Sequence, residues 1–82
     1  MDSKGKTITR RLKTKNFLEA VRFMNKTAEV AEEENHHPDL HLENFRQLTI
    51  VLSTHALGGL SQNDFILAAK INEIPVQLYK VK

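Results

Sequence analysis

The chain has 82 residues, and this length predicts a single small domain over residues 1–82 with a marginal core. Twelve residues are basic and 10 acidic, which gives a net charge of +2 at neutral pH. The absence of cysteine excludes disulfides, thiolate nucleophiles and cysteine-based zinc sites. A hydrophobic content of 40% is typical of a folded globular chain, and no apolar run approaches the roughly 20 residues that span a bilayer. The first residues contain no apolar leader segment, which predicts a cytoplasmic protein.

Half of the basic residues lie in the first fifteen positions, and such an arm can contact phosphates. They are Lys4, Lys6, Arg10, Arg11, Lys13 and Lys15. No aromatic side chain interleaves with them, as a base-stacking surface would require. Together with the small net charge, this favours a solvated edge strand over a nucleic-acid-binding arm.

The first half of the chain predicts a strand followed by a helix. Residues 7–14 carry a thin apolar face, typical of a strand. Asn16 is a candidate N-cap, and Glu19 completes a capping-box pattern three residues later. Apolar residues then recur at helical spacing as far as about Glu34, which predicts an amphipathic helix. Its stripe consists of Phe17, Ala20, Val21, Met24, Ala28 and Ala31.

A proline ends this helix and two extended segments follow. Pro38 disfavours helical geometry at the residue before it. Residues 39–43 predict a short strand or turn. Residues 45–53 alternate between apolar and polar side chains and give the clearest strand pattern in the sequence.

The last third of the chain predicts a turn, a helix and a short strand. Gly58-Gly59 marks the turn, Ser61 begins the helix and Asp64 takes the capping position. The residues from 65 to 74 are apolar on nearly every side, so we expect this helix to be covered on more than one face. Apolar residues between 76 and 81 indicate a final short strand.

These elements favour an α+β fold in which the helices pack on one face of an antiparallel sheet. A parallel sheet would require right-handed crossovers through both helices and more continuously apolar strands.

Four histidines are the main candidates for chemistry, and three of them surround the proline. They are His36, His37, His41 and His55. Three interpretations are open. The first is a zinc site, although this would need convergent ligands and the sequence has no HExxH pattern. The second is a histidine that caps a helix end, and the third is metal-free acid–base catalysis by imidazoles, which titrate near neutral pH.

A longer pattern around these histidines resembles the pterin-4a-carbinolamine dehydratase family. The family pattern is an acidic residue, three positions, His-His-Pro, an aromatic residue, a later histidine and an aspartate after a Gly-Leu turn. The residues that fill it are Glu32, His36, His37, Pro38, Phe45, His55 and Asp64. The resemblance extends back through apolar residues of the first strand and helix, so it covers about residues 8 to 72.

The sequence departs from the family pattern in two places. Family members usually have a further helix and strand before the segment that matches Ile8, so we expect a fold that is N-terminally shortened relative to the family. Residues 76–82 would partly replace the missing strand. Leu40 stands where a tryptophan is common, and the neighbouring His41 falls outside the motif and is expected to be a surface residue.

The resemblance implies an enzyme that dehydrates 4a-hydroxytetrahydropterin to the quinonoid dihydropterin, in pterin cofactor recycling, with no metal or cofactor. By position, the catalytic residues would be His36, His37, His55 and Asp64. His36 would be the base and His55 the acid, while His37 would bind substrate or share the acid role. Asp64 would hold one imidazole tautomer.

The resemblance also implies contacts with the flat pterin ring. The expected substrate-binding residues are Ser53 and Thr54, through their backbone groups, and Glu32, whose role could equally be structural.

A non-catalytic role on the same fold is the alternative. Some family members serve as dimerisation cofactors for a transcription factor, and some plant relatives act in enzyme assembly. The resemblance further implies a homodimer or homotetramer, with the stripe around Phe17, Val21 and Met24 as a candidate contact. No membrane partner is expected.

Overall fold

The computed structural model describes residues 2–4, 7–53 and 62–80. Four strands and two helices follow one another along these segments. They are β1 (Asp2–Lys4), β2 (Thr7–Lys13), α1 (Phe17–Glu34), β3 (Asp39–Glu43), β4 (Gln47–Leu52) and α2 (Gln62–Asn72).

The strands form one antiparallel sheet in the order β1-β2-β4-β3. In the register of the sheet, Ile50 of β4 lies between Arg10 of β2 and Leu40 of β3. The most regular strand of the sequence pattern, β4, is therefore a central strand, with a neighbour on each side.

The core lies between one face of this sheet and the two helices. Alternate residues of β2 and β4 point into it, and α1 and α2 cover it with their buried apolar positions. The core side chains are Ile8, Phe23, Leu48, Ile50, Leu52, Leu67, Ala68 and Ile71. The intervening strand residues are exposed or half-buried, so the predicted α+β fold with helices on one face of an antiparallel sheet is confirmed.

Helix α1 begins and ends as its capping residues dictate. The side chain of Asn16 accepts a hydrogen bond from the Glu19 N–H at 2.9 Å, which confirms the N-cap. At the other end, Asn35 is left-handed at φ 50°, and its N–H donates to the carbonyl oxygen of Glu32 while the His36 N–H donates to that of Ala31. This is the hydrogen-bond pattern of a Schellman motif.

The Glu19 side chain does not complete the capping box. Its carboxylate instead accepts two hydrogen bonds from Arg22 and one from the Gln77 backbone N–H. Glu19 therefore joins the first turn of α1 to the segment that follows α2.

The strands differ from the sequence predictions in three places. The sequence does not predict strand β1, because Asp2–Lys4 has no alternating apolar pattern. In the structure β1 pairs with β2 and forms one edge of the sheet. The predicted strand over residues 76–81 is wrong within the described residues, where Thr14 and Leu78 form only an isolated bridge. Strand β4 begins at Gln47 and not at Phe45, because Asn44 and Phe45 have positive φ.

The cover expected over more than one face of α2 is not provided by the described part of this chain. Leu67 and Ile71 are buried, but Phe65 is 53% exposed and Ile66 is 37% exposed. Within the described residues, neither helix is both long and apolar enough to cross a membrane.

Candidate active site

The predicted site residues that the structure describes gather at one end of the sheet. Residues 36–38 connect α1 to β3, and Ser53 directly follows β4. Because Asp39 pairs with Val51, the start of β3 and the end of β4 lie side by side. The predicted residues Thr54 and His55 lie outside the described residues, as do the Gly58-Gly59 turn and Ser61.

A hydrogen bond between two distant parts of the sequence lies at the centre of this end. His36 Nε2 is 2.5 Å from Asp64 Oδ1, although the two residues are 28 positions apart. The side chain of His36 is 16% exposed and that of Asp64 is fully buried. Burial of a carboxylate requires polar partners, so this contact fixes both the ring of His36 and the start of α2 against the end of α1.

A second histidine–carboxylate pair lies at the surface beside the first. His37 Nε2 contacts the Glu32 carboxylate, and both side chains are mostly exposed. Glu32 belongs to the last turn of α1, while His37 follows the helix. The motif residues thus form two histidine–carboxylate pairs, one largely buried and one solvated.

An ion pair also joins the two helices. Lys70 Nζ of α2 donates to Glu34 Oε2 of α1 at 2.6 Å. The hydrogen bond that Lys70 donates to Glu34 raises the pKa of Lys70 above its ordinary value, with a smaller contribution from the charge of the same carboxylate.

Two further polar residues lie on or next to strands β3 and β4. Ser53 is half-buried where β4 ends, so its backbone and hydroxyl lie at the same end of the sheet as His36. His41 is exposed and pairs with Thr49 in the middle of the β3–β4 ladder. Its side chain lies on the sheet face opposite to the core, away from His36 and His37.

The arrangement can support proton transfer by imidazole. In a neutral imidazole one ring nitrogen donates and the other accepts. When Nε2 of His36 donates to Asp64, Nδ1 carries the lone pair that a base needs. Within the described residues, no group of three or more His, Asp and Glu side chains could hold a metal ion; His55 lies outside that set, so metal-free catalysis stays a prediction.

Two features of the site were missed by the sequence reasoning. The left-handed Asn35 sets the direction in which His36 leaves the helix, and an asparagine after the last helical turn is a recognised signal for that geometry. The Lys70–Glu34 pair had no sequence signal, because it depends on how the two helices meet.

Comparison with known proteins places this geometry in a family. The family model described as Pterin 4 alpha carbinolamine dehydratase matches residues 1–74. The chain is 51% identical over 65 residues to "Pterin-4-alpha-carbinolamine dehydratase 2, mitochondrial" of Arabidopsis thaliana, a match that covers 79% of this chain and 35% of that protein. The chain therefore spans about a third of the length of this relative.

Two solved structures have the same fold. A crystal structure from Brucella melitensis, titled as a transcriptional coactivator/pterin dehydratase, has a TM-score of 0.77 at 32% identity and covers 87% of this chain and 74% of its own. A pterin dehydratase-like protein described as a RuBisCO assembly factor in the alpha-carboxysome has a TM-score of 0.68 at 19% identity, covers 87% of this chain and 81% of its own, and shows the fold alone. The family match and the relatives that carry the dehydratase name, a hydro-lyase by reaction type, show that the chain belongs to the pterin-4-alpha-carbinolamine dehydratase family.

Proposed function

We propose that this chain catalyses the dehydration of 4a-hydroxytetrahydropterin to quinonoid dihydropterin by histidine acid–base catalysis, without a metal or cofactor. The observation that carries the proposal is the buried pair of His36 and Asp64, whose Nε2 and Oδ1 atoms are 2.5 Å apart. A carboxylate so placed fixes the tautomer and the orientation of an imidazole.

The reaction requires two proton transfers, one at each reacting centre. The 4a-hydroxyl leaves as water after it receives a proton, and the N5–H bond of the pterin gives up a proton as the new C=N bond forms. We assign the second transfer to His36, since Nδ1 carries the lone pair when Nε2 donates to Asp64. His55 is assigned the first transfer, on the strength of the family motif alone.

The remaining motif residues are assigned to substrate binding at the same end of the sheet. His37 and Glu32 form an exposed pair beside the buried one, which suits groups that meet an incoming ligand or share the acid role. Ser53 directly follows β4 at this end of the sheet, and we propose that its backbone and that of Thr54 hydrogen-bond the pterin ring.

The experiment is a stopped-flow assay of carbinolamine dehydration by the purified chain in the presence of EDTA. We expect acceleration over the spontaneous reaction, which is measured separately and subtracted. His36→Ala and His55→Ala should each lower the rate by about 10²- to 10⁴-fold, the usual contribution of one acid or base.

His41→Ala is the matched control, since His41 is an exposed histidine on the opposite sheet face. Its rate should equal that of the unmodified chain. Activity that disappears with EDTA and returns with zinc would overturn the metal-free mechanism. Equal rates for all three histidine variants would place the chemistry elsewhere.

The proposal extends to the assembly and location of the protein. We propose a homodimer or homotetramer, supported by apolar side chains that this chain leaves exposed, among them Leu18 at 78% and Phe65 at 53%. In the apolar stripe of α1, Phe17 is exposed while Val21 and Met24 are half-buried. A cytoplasmic location stays a prediction, because the Arabidopsis relative is mitochondrial by name.

A purely non-catalytic role as an interaction or assembly protein is the weaker candidate. The solved structure that carries such a description is 19% identical and speaks only for the fold. The buried His36–Asp64 pair has no evident use in such a role.

A further inference from the structure

A basic groove lies at the end of the sheet remote from the histidine pairs. Its volume is about 450 Å³, and it is lined by Lys15, Arg46, Gln77, Leu78, Tyr79 and Lys80. We propose that this groove binds an acidic, extended peptide segment of another protein, which adds as a strand along the outer edge of residues 78–80.

The groove is separate from the candidate active site. Arg46 belongs to the turn after β3, whereas His37 and Pro38 precede that strand. The five residues of β3 span about 16 Å at roughly 3.3 Å per residue. A ligand in the groove therefore does not contact the His36–Asp64 pair.

The cations of the groove take part in no ion pair among the described residues. Lys15, Arg46 and Lys80 are absent from the five pairs found there, although the charge of Lys15 contributes to lowering the pKa of Glu19. The nearby carboxylate of Glu19 is already hydrogen-bonded to Arg22 and to the Gln77 N–H. The groove is thus a concentration of positive charge that is complementary to an acidic ligand.

A backbone edge runs beside these charges. Lys15 N donates to Gln77 O and Tyr79 N donates to Lys13 O, each at 2.9 Å, around the bridge between Thr14 and Leu78. In an antiparallel ladder the groups of the intervening residue face outward. The Leu78 N–H and carbonyl therefore point away from β2, and no described residue hydrogen-bonds them. Addition of a peptide strand to such an edge is a known mode of recognition.

Apolar and aromatic side chains flank the same edge. Leu78 is 47% exposed, Tyr79 is 37% exposed and Phe45, in the adjacent turn, is 55% exposed. Phe45 also has a φ of 54°, which is unfavourable for a bulky residue and is characteristic of positions under functional constraint. This motif residue has no part in the proposed dehydration, but it provides an apolar contact beside the groove.

The contacts of the rings favour a peptide over single-stranded nucleic acid. Base stacking requires free aromatic faces. The ring of Tyr79 instead has Lys13 at 4.2 Å and Arg46 at 4.1 Å from its centroid, and Arg46 is also 4.9 Å from the centroid of Phe45. These contacts place two cations against the ring of Tyr79 and one against that of Phe45, and they hold those cations beside the groove.

The test is a fluorescence-anisotropy titration with a labelled peptide in which Glu alternates with Leu and Phe. The comparison probes are the same peptide with Lys in place of Glu, a backbone N-methylated version, and a labelled oligothymidylate. We expect the acidic peptide to bind at least about tenfold more tightly than each of the other three.

Charge-reversal variants locate the binding site. Arg46→Glu should weaken binding of the acidic peptide by about tenfold or more, since a contact charge becomes repulsive. Lys26→Glu makes the same change on the exposed surface of α1 and should leave the affinity unchanged. The dehydration rate of Arg46→Glu should also be unchanged, which keeps this proposal separate from the enzymatic one.

Several outcomes would overturn the proposal. Equal affinity for the acidic and basic peptides would exclude charge recognition, and equal affinity for the N-methylated peptide would exclude strand addition. Tighter binding of oligothymidylate would assign the groove to nucleic acid. Loss of binding in Lys26→Glu equal to that in Arg46→Glu would place the peptide outside the groove.

Discussion

At the scale of single residues, the buried carboxylate of Asp64 is the group on which the proposed chemistry most depends. Asp64→Asn keeps the size of the side chain but removes the charge that faces His36 Nε2. We expect the dehydration rate to fall by about tenfold or more, because the imidazole loses its preferred tautomer. Stopped-flow kinetics across a range of pH measures the change, and circular dichroism establishes that the variant is folded.

Asp39→Asn is the matched control for this substitution, since Asp39 is an exposed aspartate at the start of β3 near the same end of the sheet. It should retain the original rate. A folded Asp64→Asn variant with unaltered rate and pH profile would show that Asp64 serves only to anchor α2.

Glu19 gives a residue-scale prediction about stability and pH. Hydrogen bonds from Arg22 and from the Gln77 N–H lower the pKa of Glu19 from 4.5 to about 2. Because the pKa is lower in the folded state, ionised Glu19 stabilises the fold above about pH 4.5, and this contribution is lost as the pH falls towards 2. Glu19→Gln should therefore lower the free energy of unfolding by about 1 kcal/mol at neutral pH and by progressively less in acid.

Urea unfolding at a series of pH values measures the difference between the two proteins. Glu29→Gln is the control, since Glu29 is 65% exposed and lies 3.9 Å from Lys26. Its effect should be small and nearly independent of pH. A Glu19→Gln difference that stays constant down to pH 2 would contradict the assigned pKa.

At the scale of the secondary-structure elements, the end of α1 decides where the first histidine points. Asn35 takes φ 50° and ψ 42°, a conformation that asparagine and glycine tolerate and alanine does not. Asn35→Ala should lower the free energy of unfolding by about 1 kcal/mol, whereas Asn35→Gly should be nearly neutral.

Asn25→Ala is the matched control for this helix end, because Asn25 is an exposed residue in the interior of α1. There the same substitution should be neutral or slightly stabilising, since alanine has the higher helix propensity. Thermal unfolding of the three variants makes the comparison. Equal stability of Asn35→Ala and Asn35→Gly would mean that the left-handed turn is not required.

The elements also show which parts of the fold a sequence can predict. The presence of helix α1 and of strand β4 follows from their apolar spacing, since burial of one face imposes a period. The buried face of α1, however, runs through Phe23 and Thr27, whereas Phe17 and Ala28 of the predicted stripe are exposed. Strand β1 has no such spacing. It pairs with β2 through backbone groups, and because every sequence carries these groups, they do not mark a strand in the sequence. The bridge at Leu78 shows the converse, since apolar residues there do not lead to a regular strand.

The sequence predicts which residues form the candidate site, but not which of them contact each other. The family motif identified the histidines and Asp64 as candidates. The 2.5 Å contact between His36 and Asp64 depends on how the end of α1 meets the start of α2. The packing of the two helices in the core, where Phe23 and Leu67 are both fully buried, determines this relative position. No local sequence pattern predicts it.

At the scale of the whole molecule, a small core and exposed apolar side chains lead to a prediction about assembly. A chain of this size buries only about 60% of the surface that its unfolded form exposes, so association adds useful stability. On α2, Phe65 is 53% exposed and Ile66 is 37% exposed, although the helix is apolar on nearly every side. We expect a homo-oligomer at micromolar concentration in which α2 forms part of the interface. Phe65→Lys should shift the oligomer towards monomer, because a buried contact would have to accept a charge.

Phe45→Lys is the matched control, since Phe45 is 55% exposed at the opposite end of the sheet. Size-exclusion chromatography with light scattering measures the mass of each protein. An unmodified chain that is monomeric, or equal dissociation by both variants, would contradict an interface on α2.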